Sequence, residues 1–222
     1  MSDLLQFWLS LSIVFAVIIG IIRYRRIDPA YYPFIYRVSL SLVVELLRRV
    51  LLQQSNFNAA SSVTNLFALA DFMLFTWLFH NWGLFKKNNR LYVGILTGFF
   101  ISWCLATFLS PKGIFSPNLY FRILYAFALI FFSVTTLNSL IINTRGGMRK
   151  NSKFWICIGI IIFYTLFVII CATQLSVLRE NVSKEFQRKF YDIMVFSNLF
   201  VNLLYAGAAL WIPRKKAFTA VY

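Results

Sequence analysis

Apolar stretches of roughly twenty residues recur seven times along this chain, joined by short polar links. A helix needs ~20 residues to cross ~30 Å of hydrocarbon. Inside lipid the backbone must satisfy its hydrogen bonds within the segment, so this alternation leaves a bundle of spanning helices as the fold. The stretches run 4–22, 32–53, 63–84, 91–109, 119–142, 154–174 and 190–212, the link between the second and third covering 55–62. The expected architecture is all-α: one transmembrane domain over residues 1–222, a polytopic seven-helix bundle. Of the 222 residues 60% are hydrophobic and 13% charged, about half the charge of an average soluble domain. Arg23, Arg25 and Arg26 follow the first stretch and no basic residue precedes it. That reverses the charge order of a cleavable signal peptide, so the stretch is expected to stay as a helix.

The net charge of +15 does not point to nucleic acid, because the basic residues sit in clusters between apolar stretches. The links after the first, third and fifth stretches and the C-terminal tail hold three, three, four and three Lys or Arg, all on one face of a seven-helix topology. On the other face the N-terminal tail and the second link hold none, the fourth holds Lys112, and only the sixth is basic, diluted by Glu180 and Glu185. Positive residues mark the cytoplasmic side. The N-terminus is therefore expected outside and the C-terminus inside. Trp8, Trp82, Trp155 and Trp211 fall near segment ends, where an interfacial aromatic belt belongs. The inner basic links are expected to face a cytoplasmic or membrane signalling partner, or simply anionic lipid. Gly94 and Gly98 form a GxxxG pattern that permits close helix approach or homo-oligomers.

The second stretch carries Glu45, Arg48 and Arg49 where lipid-facing residues belong, and the third carries Asp71. Ionisable groups at membrane depth are costly unless they face a partner or a wet cavity. Asp71 is the natural candidate to meet the Glu45–Arg49 group. In the expected orientation these residues, with Arg122, Asp192, Asn198 and Asn202, fall mostly in the outer half. They predict a polar, ligand-binding pocket open to the outside. Ser41, Glu45, Arg48 and Leu52 share a helix face, as do Asn198, Asn202 and Tyr205. Plainer explanations exist: a local Glu45–Arg48 or Glu45–Arg49 pair, snorkelling by Arg49, Asp71 as a structural hydrogen-bond acceptor for another helix, and an Asn198–Asn202 pair that only joins helices.

No enzyme pattern is present: no HExxH, GxSxG or P-loop. Cys104, Cys157 and Cys171 lack metal-ligand spacing, and His80 is the sole histidine, so no metal and no cofactor is expected. The last stretch has no lysine for a retinal Schiff base. Similar three-helix halves and helices broken by Gly or Pro, the signs of a small carrier, are also not found.

RYRRIDPAYYPFIY, the Glu45 segment, FHNWGLF, RILYAFALIFFSVTTLNSLI and NLFVNLLYAGAALWIPRKK resemble small, stand-alone, seven-helix bacterial membrane proteins. The likeness covers nearly the whole chain. It implies the fold and the bacterial cytoplasmic (inner) membrane, and no chemistry. The architecture is also similar to the seven-helix sensor regions of bacterial histidine kinases, without the kinase. The expected function is a receptor-like or signalling-associated subunit with an outward polar pocket, and not an enzyme. The alternatives are a carrier of a small or proton-coupled solute and a structural subunit of a membrane assembly.

Overall fold

The computed structural model describes residues 3–85, 88–110, 113–143, 148–179 and 182–215. Lys86, Lys87, Lys112, Arg145, Glu180 and Lys216, which entered the charge argument, lie outside the described residues.

The first apolar stretch is expected as one helix and forms two, α1 (Asp3–Ser10) and α2 (Ile13–Arg23). Neither Gly nor Pro breaks it. Ser10 Oγ donates to Phe7 O at 2.8 Å and Ser12 Oγ to Leu9 O at 2.7 Å. Such hydroxyls offer the backbone an alternative to its own ladder. The break is finished from outside: Asn202 Nδ2 donates to Ser12 Oγ at 2.9 Å and to Ser10 O at 3.4 Å. Freed backbone groups at membrane depth need such partners. The single helix expected over 4–22 is thus corrected to two.

After short 3-10 turns come α3 (Tyr32–Gln53) and α4 (Phe57–Asn81). The eight-residue link expected between them shrinks to a three-residue turn, Gln54 to Asn56. Ser55 takes the left-handed conformation, φ 56°, and Asn56 N bonds back to Leu51 O at 2.9 Å, which closes the end of α3. The Asn56 side chain then accepts from Ala59 N and caps α4. Ser62 and Thr64 hydroxyls donate to carbonyls four residues back, so a polar run read as a link is helix instead. The remaining helices are α5 (Asn89–Phe108), α6 (Leu119–Asn143), α7 (Ser152–Thr173), α8 (Ser176–Arg179) and α9 (Lys184–Trp211). Ser183 caps α9 by accepting from Phe186 N at 3.2 Å, and the helix starts at Lys184, six residues ahead of the expected 190.

Among the described residues there are nine α-helices and no strand. Six segments are long and apolar enough to cross a membrane: Phe7–Arg26, α4, α5, Leu119–Ile142 of α6, α7 and α9. The helix α3 is equally long, at 22 residues, but is not among them. It carries Arg37, Glu45, Arg48 and Arg49.

Packing contacts link α2 to α3, α3 to α4, α4 to α6, α6 to α7, α7 to α9 and α9 back to α2. The six make a closed ring, with α5 set outside against α4 and α6. Glycine sets one of the tightest approaches: a Cβ on Gly159 of α7 would lie 2.5 Å from the Tyr205 ring of α9. On α5, Gly94 and Gly98 have nothing within 4 Å of a built Cβ, so GxxxG is not used inside the chain.

One end of the ring is tied shut. Arg23 caps the C-terminus of α9 by donating to Ala209 O at 2.5 Å, to Leu210 O and to Ile212 O at 3.0 Å. Asp28 N bonds Pro213 O and Lys215 N bonds Arg26 O, pairing the first link with the C-terminal tail. Ser152 Oγ donates to the Tyr31 hydroxyl at 2.9 Å. Burial pushes that Tyr31 hydroxyl up to about 12, against the lowering effect of the Ser152 bond, so it stays protonated. Ile27 and Ile212, both buried, fill the space beneath.

Candidate functional site

The opposite end of the ring opens into a cavity of about 850 Å³, within the ~300–1,000 Å³ range of small-molecule sites. Its rim is exposed: Phe57 is 66% and Tyr191 41% accessible. Its floor is sealed: Arg37, Asp71 and Tyr205 are at most 5% accessible.

The floor is an ion pair that the sequence reading missed. Arg37 Nε donates to Asp71 Oδ1 at 2.7 Å. The Tyr164 hydroxyl donates to the other carboxylate oxygen. The Arg37 guanidinium lies 5.0 Å from the Phe75 ring centroid and 5.7 Å from that of Tyr205. Two charges here lose their hydration, and the lost solvent is replaced by a carboxylate, a phenol and two aromatic faces.

The pairing follows from the turn. In an antiparallel helix pair, residues equidistant from the turn lie level. With Ser55 at the centre, Arg37 stands 18 residues before and Asp71 16 after. An eight-residue link centred near 58 would instead have set Asp71 opposite Glu45. The expected meeting of Asp71 with the Glu45–Arg49 group is therefore corrected: a five-residue difference in link length moves the register by more than a turn.

Glu45 is level with Asn65 and makes a looser set of contacts. One oxygen accepts from Ser10 Oγ at 2.8 Å, anchoring the break between α1 and α2. The other lies 3.9 Å from Arg48 Nη1. Arg49 lies over Phe7, 5.3 Å from the ring centroid. Asn65 is a node that sequence reasoning passed over. Its amide donates to Ile114 O at 2.8 Å and Ser116 O at 2.7 Å. Its Oδ1 accepts from Asn118 N and from Arg122 Nη2 at 3.0 Å. The link before α6 is strapped to α4 in this way, and Arg122 is aimed inward.

The structure brings Glu45, Arg48, Arg49, Asp71, Arg122, Asn198 and Asn202 to the cavity wall. Asp192 is half-buried and does not line it. On α9 the wall is formed by Tyr191, Met194, Val195, Asn198 and Asn202, a three- and four-residue spacing that turns Asp192 about 100° away from Tyr191. Ser41, Glu45, Arg48 and Leu52 all line the cavity, as do Asn198, Asn202 and Tyr205. His80 stacks on Tyr92, centroids 4.0 Å apart, away from this site. Among the described residues no group of three or more His, Cys, Asp or Glu could hold a metal ion.

Two buried polar atoms on cavity-lining residues have no hydrogen-bond partner: Arg122 Nε and the Tyr205 hydroxyl. Orphaned buried polar atoms are rare and call for a bound group or water. Fold and site together define a multi-pass helical membrane protein with a polar cavity sunk into one end of its bundle. Comparison with protein-family models, with curated proteins and with solved structures found no match to the chain.

Proposed function

We propose that the protein is a receptor-like, signalling-associated subunit of the bacterial cytoplasmic membrane that binds a small solute in an outward-facing cavity. The cavity carries this reading, because an exposed rim leads down to a sealed floor held by the Arg37–Asp71 pair. Sidedness is read from the loops. The basic links gather with the C-terminal tail at the tied end, which fits the cytoplasmic side. In this reading α3 is the seventh crossing, its charges sheltered between α2 and α4. The basic closed end is then the face offered to a signalling partner. A bound solute transmits inward by favouring one helix arrangement over another.

A carrier is the second reading, and the broken first helix favours it. Transporters build their sites at helix breaks, and here the break touches Glu45 and Asn202, both on the cavity wall. Flux of a solute into liposomes, lost in Glu45→Gln, distinguishes the carrier from the receptor.

Thiol labelling in intact cells tests the shared premise. In a chain with Cys104, Cys157 and Cys171 changed to Ala, Ser61→Cys on the cavity wall should react with an impermeant reagent from outside. Arg25→Cys at the tied end should react only after permeabilisation. The reverse pattern refutes the outward cavity.

A further inference from the structure

Four arginines line the cavity, Arg37, Arg48, Arg49 and Arg122, against two carboxylates, Glu45 and Asp71. Asp71 is fully engaged by Arg37 and Tyr164. Glu45 divides its oxygens between Ser10 and a long contact to Arg48. Among the described residues, no carboxylate is in ion-pair contact with Arg49 or Arg122. Arg49 at least has the Phe7 ring. Arg122 has one hydrogen bond, to the neutral Asn65, while its buried Nε has none. Arg48 lines the same cavity and brings a like charge to it.

An uncompensated cation out of water costs several kcal/mol, and a second cation beside it adds to that cost. The same surplus is what an anion site needs: positive charge held in a low-dielectric, walled space. A guanidinium fork matches the oxygens of a carboxylate or a phosphate better than those of a neutral group. We infer that the cavity takes an organic oxyanion, a carboxylate or a phosphate, seated on Arg122, with Arg48 and Arg49 of the same cavity wall adding to the positive field. The inference names the ligand class for the solute-binding site proposed above and rests on that reading.

The depth fits a ligand with a body as well as a head. Asn65, which holds Arg122, precedes Asp71 by six residues on α4, ~9 Å along the helix axis. Phe163 and Phe167 of α7 give the cavity an apolar wall alongside its charge. The same head-group chemistry is offered by a soluble organic acid and by an anionic lipid.

The test uses the full chain in phosphatidylcholine nanodiscs. Thermal unfolding and titration calorimetry are read with benzoate, phenyl phosphate and inorganic phosphate, beside neutral benzamide and cationic benzylamine. At least one oxyanion should bind saturably, and benzamide and benzylamine should not. Arg122→Gln should weaken binding at least about tenfold. Arg122→Lys, which keeps the charge without the fork, and Arg49→Gln should weaken it less, and Arg25→Gln at the tied end should leave it unchanged. Nanodiscs with phosphatidylglycerol separate the sources. Competition with the probes, or an Arg122-dependent stabilisation by that lipid, assigns the head-group; probe binding undisturbed by it assigns a soluble acid. Benzamide or benzylamine binding as tightly as benzoate overturns the oxyanion inference and leaves the solute site standing. Oxyanion binding unchanged in Arg122→Gln overturns the placement. No effect of any probe or of phosphatidylglycerol overturns both the inference and the solute reading.

Discussion

Two ion pairs engage α3 at residues eight apart, Arg37 with Asp71 of α4 and Glu45 with Arg48 of α3 itself, and they live in different surroundings. At the floor, Arg37 and Asp71 meet at 2.7 Å with side chains 7% and 1% accessible. Higher up, Arg48 and Glu45 stand 3.9 Å apart with side chains 42% and 30% accessible. In the lower pair both Asp71 oxygens are engaged, by Arg37 and Tyr164, and the guanidinium lies over two aromatic faces. The upper pair is loose and lies near cations with no counter-ion. The difference separates charge that holds helices together from charge left available to something that enters. A buried pair is weak evidence for stability in itself, but losing one partner strands the other.

Asp71→Ala should cause the largest loss, about 3–5 kcal/mol, because Arg37 is left buried and unpaired. Thermal unfolding in nanodiscs measures it; a loss below about 1 kcal/mol would mean the floor pair holds nothing, and the contrast between the two levels would collapse. Tyr164→Phe comes next. It removes one hydrogen bond to a charged oxygen and keeps the ring, so about 1.5–3 kcal/mol is expected. An unchanged melting point would show that Asp71 needs only Arg37. The smallest effect belongs to Glu45→Gln, within about 1 kcal/mol, since the half-exposed pair it breaks is long. A loss equal to that of Asp71→Ala would place Glu45 in the supporting frame with the floor.

Much of the bundle can be read from the sequence, because apolar stretches of spanning length leave few alternatives. The helix faces carrying Glu45 with Arg48, and Asn198 with Asn202, can also be read, since three- and four-residue spacings survive any change of helix ends. What depends on exact helix ends does not come through as clearly. Asn58, Ser61 and Ser62 make this stretch look like a link, yet it lies in the first turns of α4. The available signal was Asn56, a good N-cap ahead of Ala59 and Ala60. Reading that cap moves the turn to Ser55, and Arg37 then falls level with Asp71. The break at Ser10–Ser12 left no such trace: serines are ordinary in membrane helices, and only Asn202 from the far end of the chain reveals why the helix parts there.

In the proposed reading Arg37 and Asp71 support the fold, while Arg122 is kept for a ligand. The most direct test is to compare the unfolding of Arg122→Gln and Asp71→Ala in ligand-free phosphatidylcholine nanodiscs. Removing this half-buried cation without a counter-ion should leave the empty protein as stable as before or more so, while Asp71→Ala loses several kcal/mol. If Arg122→Gln instead unfolds as readily as Asp71→Ala, Arg122 belongs to the frame and the division between the two levels is contradicted.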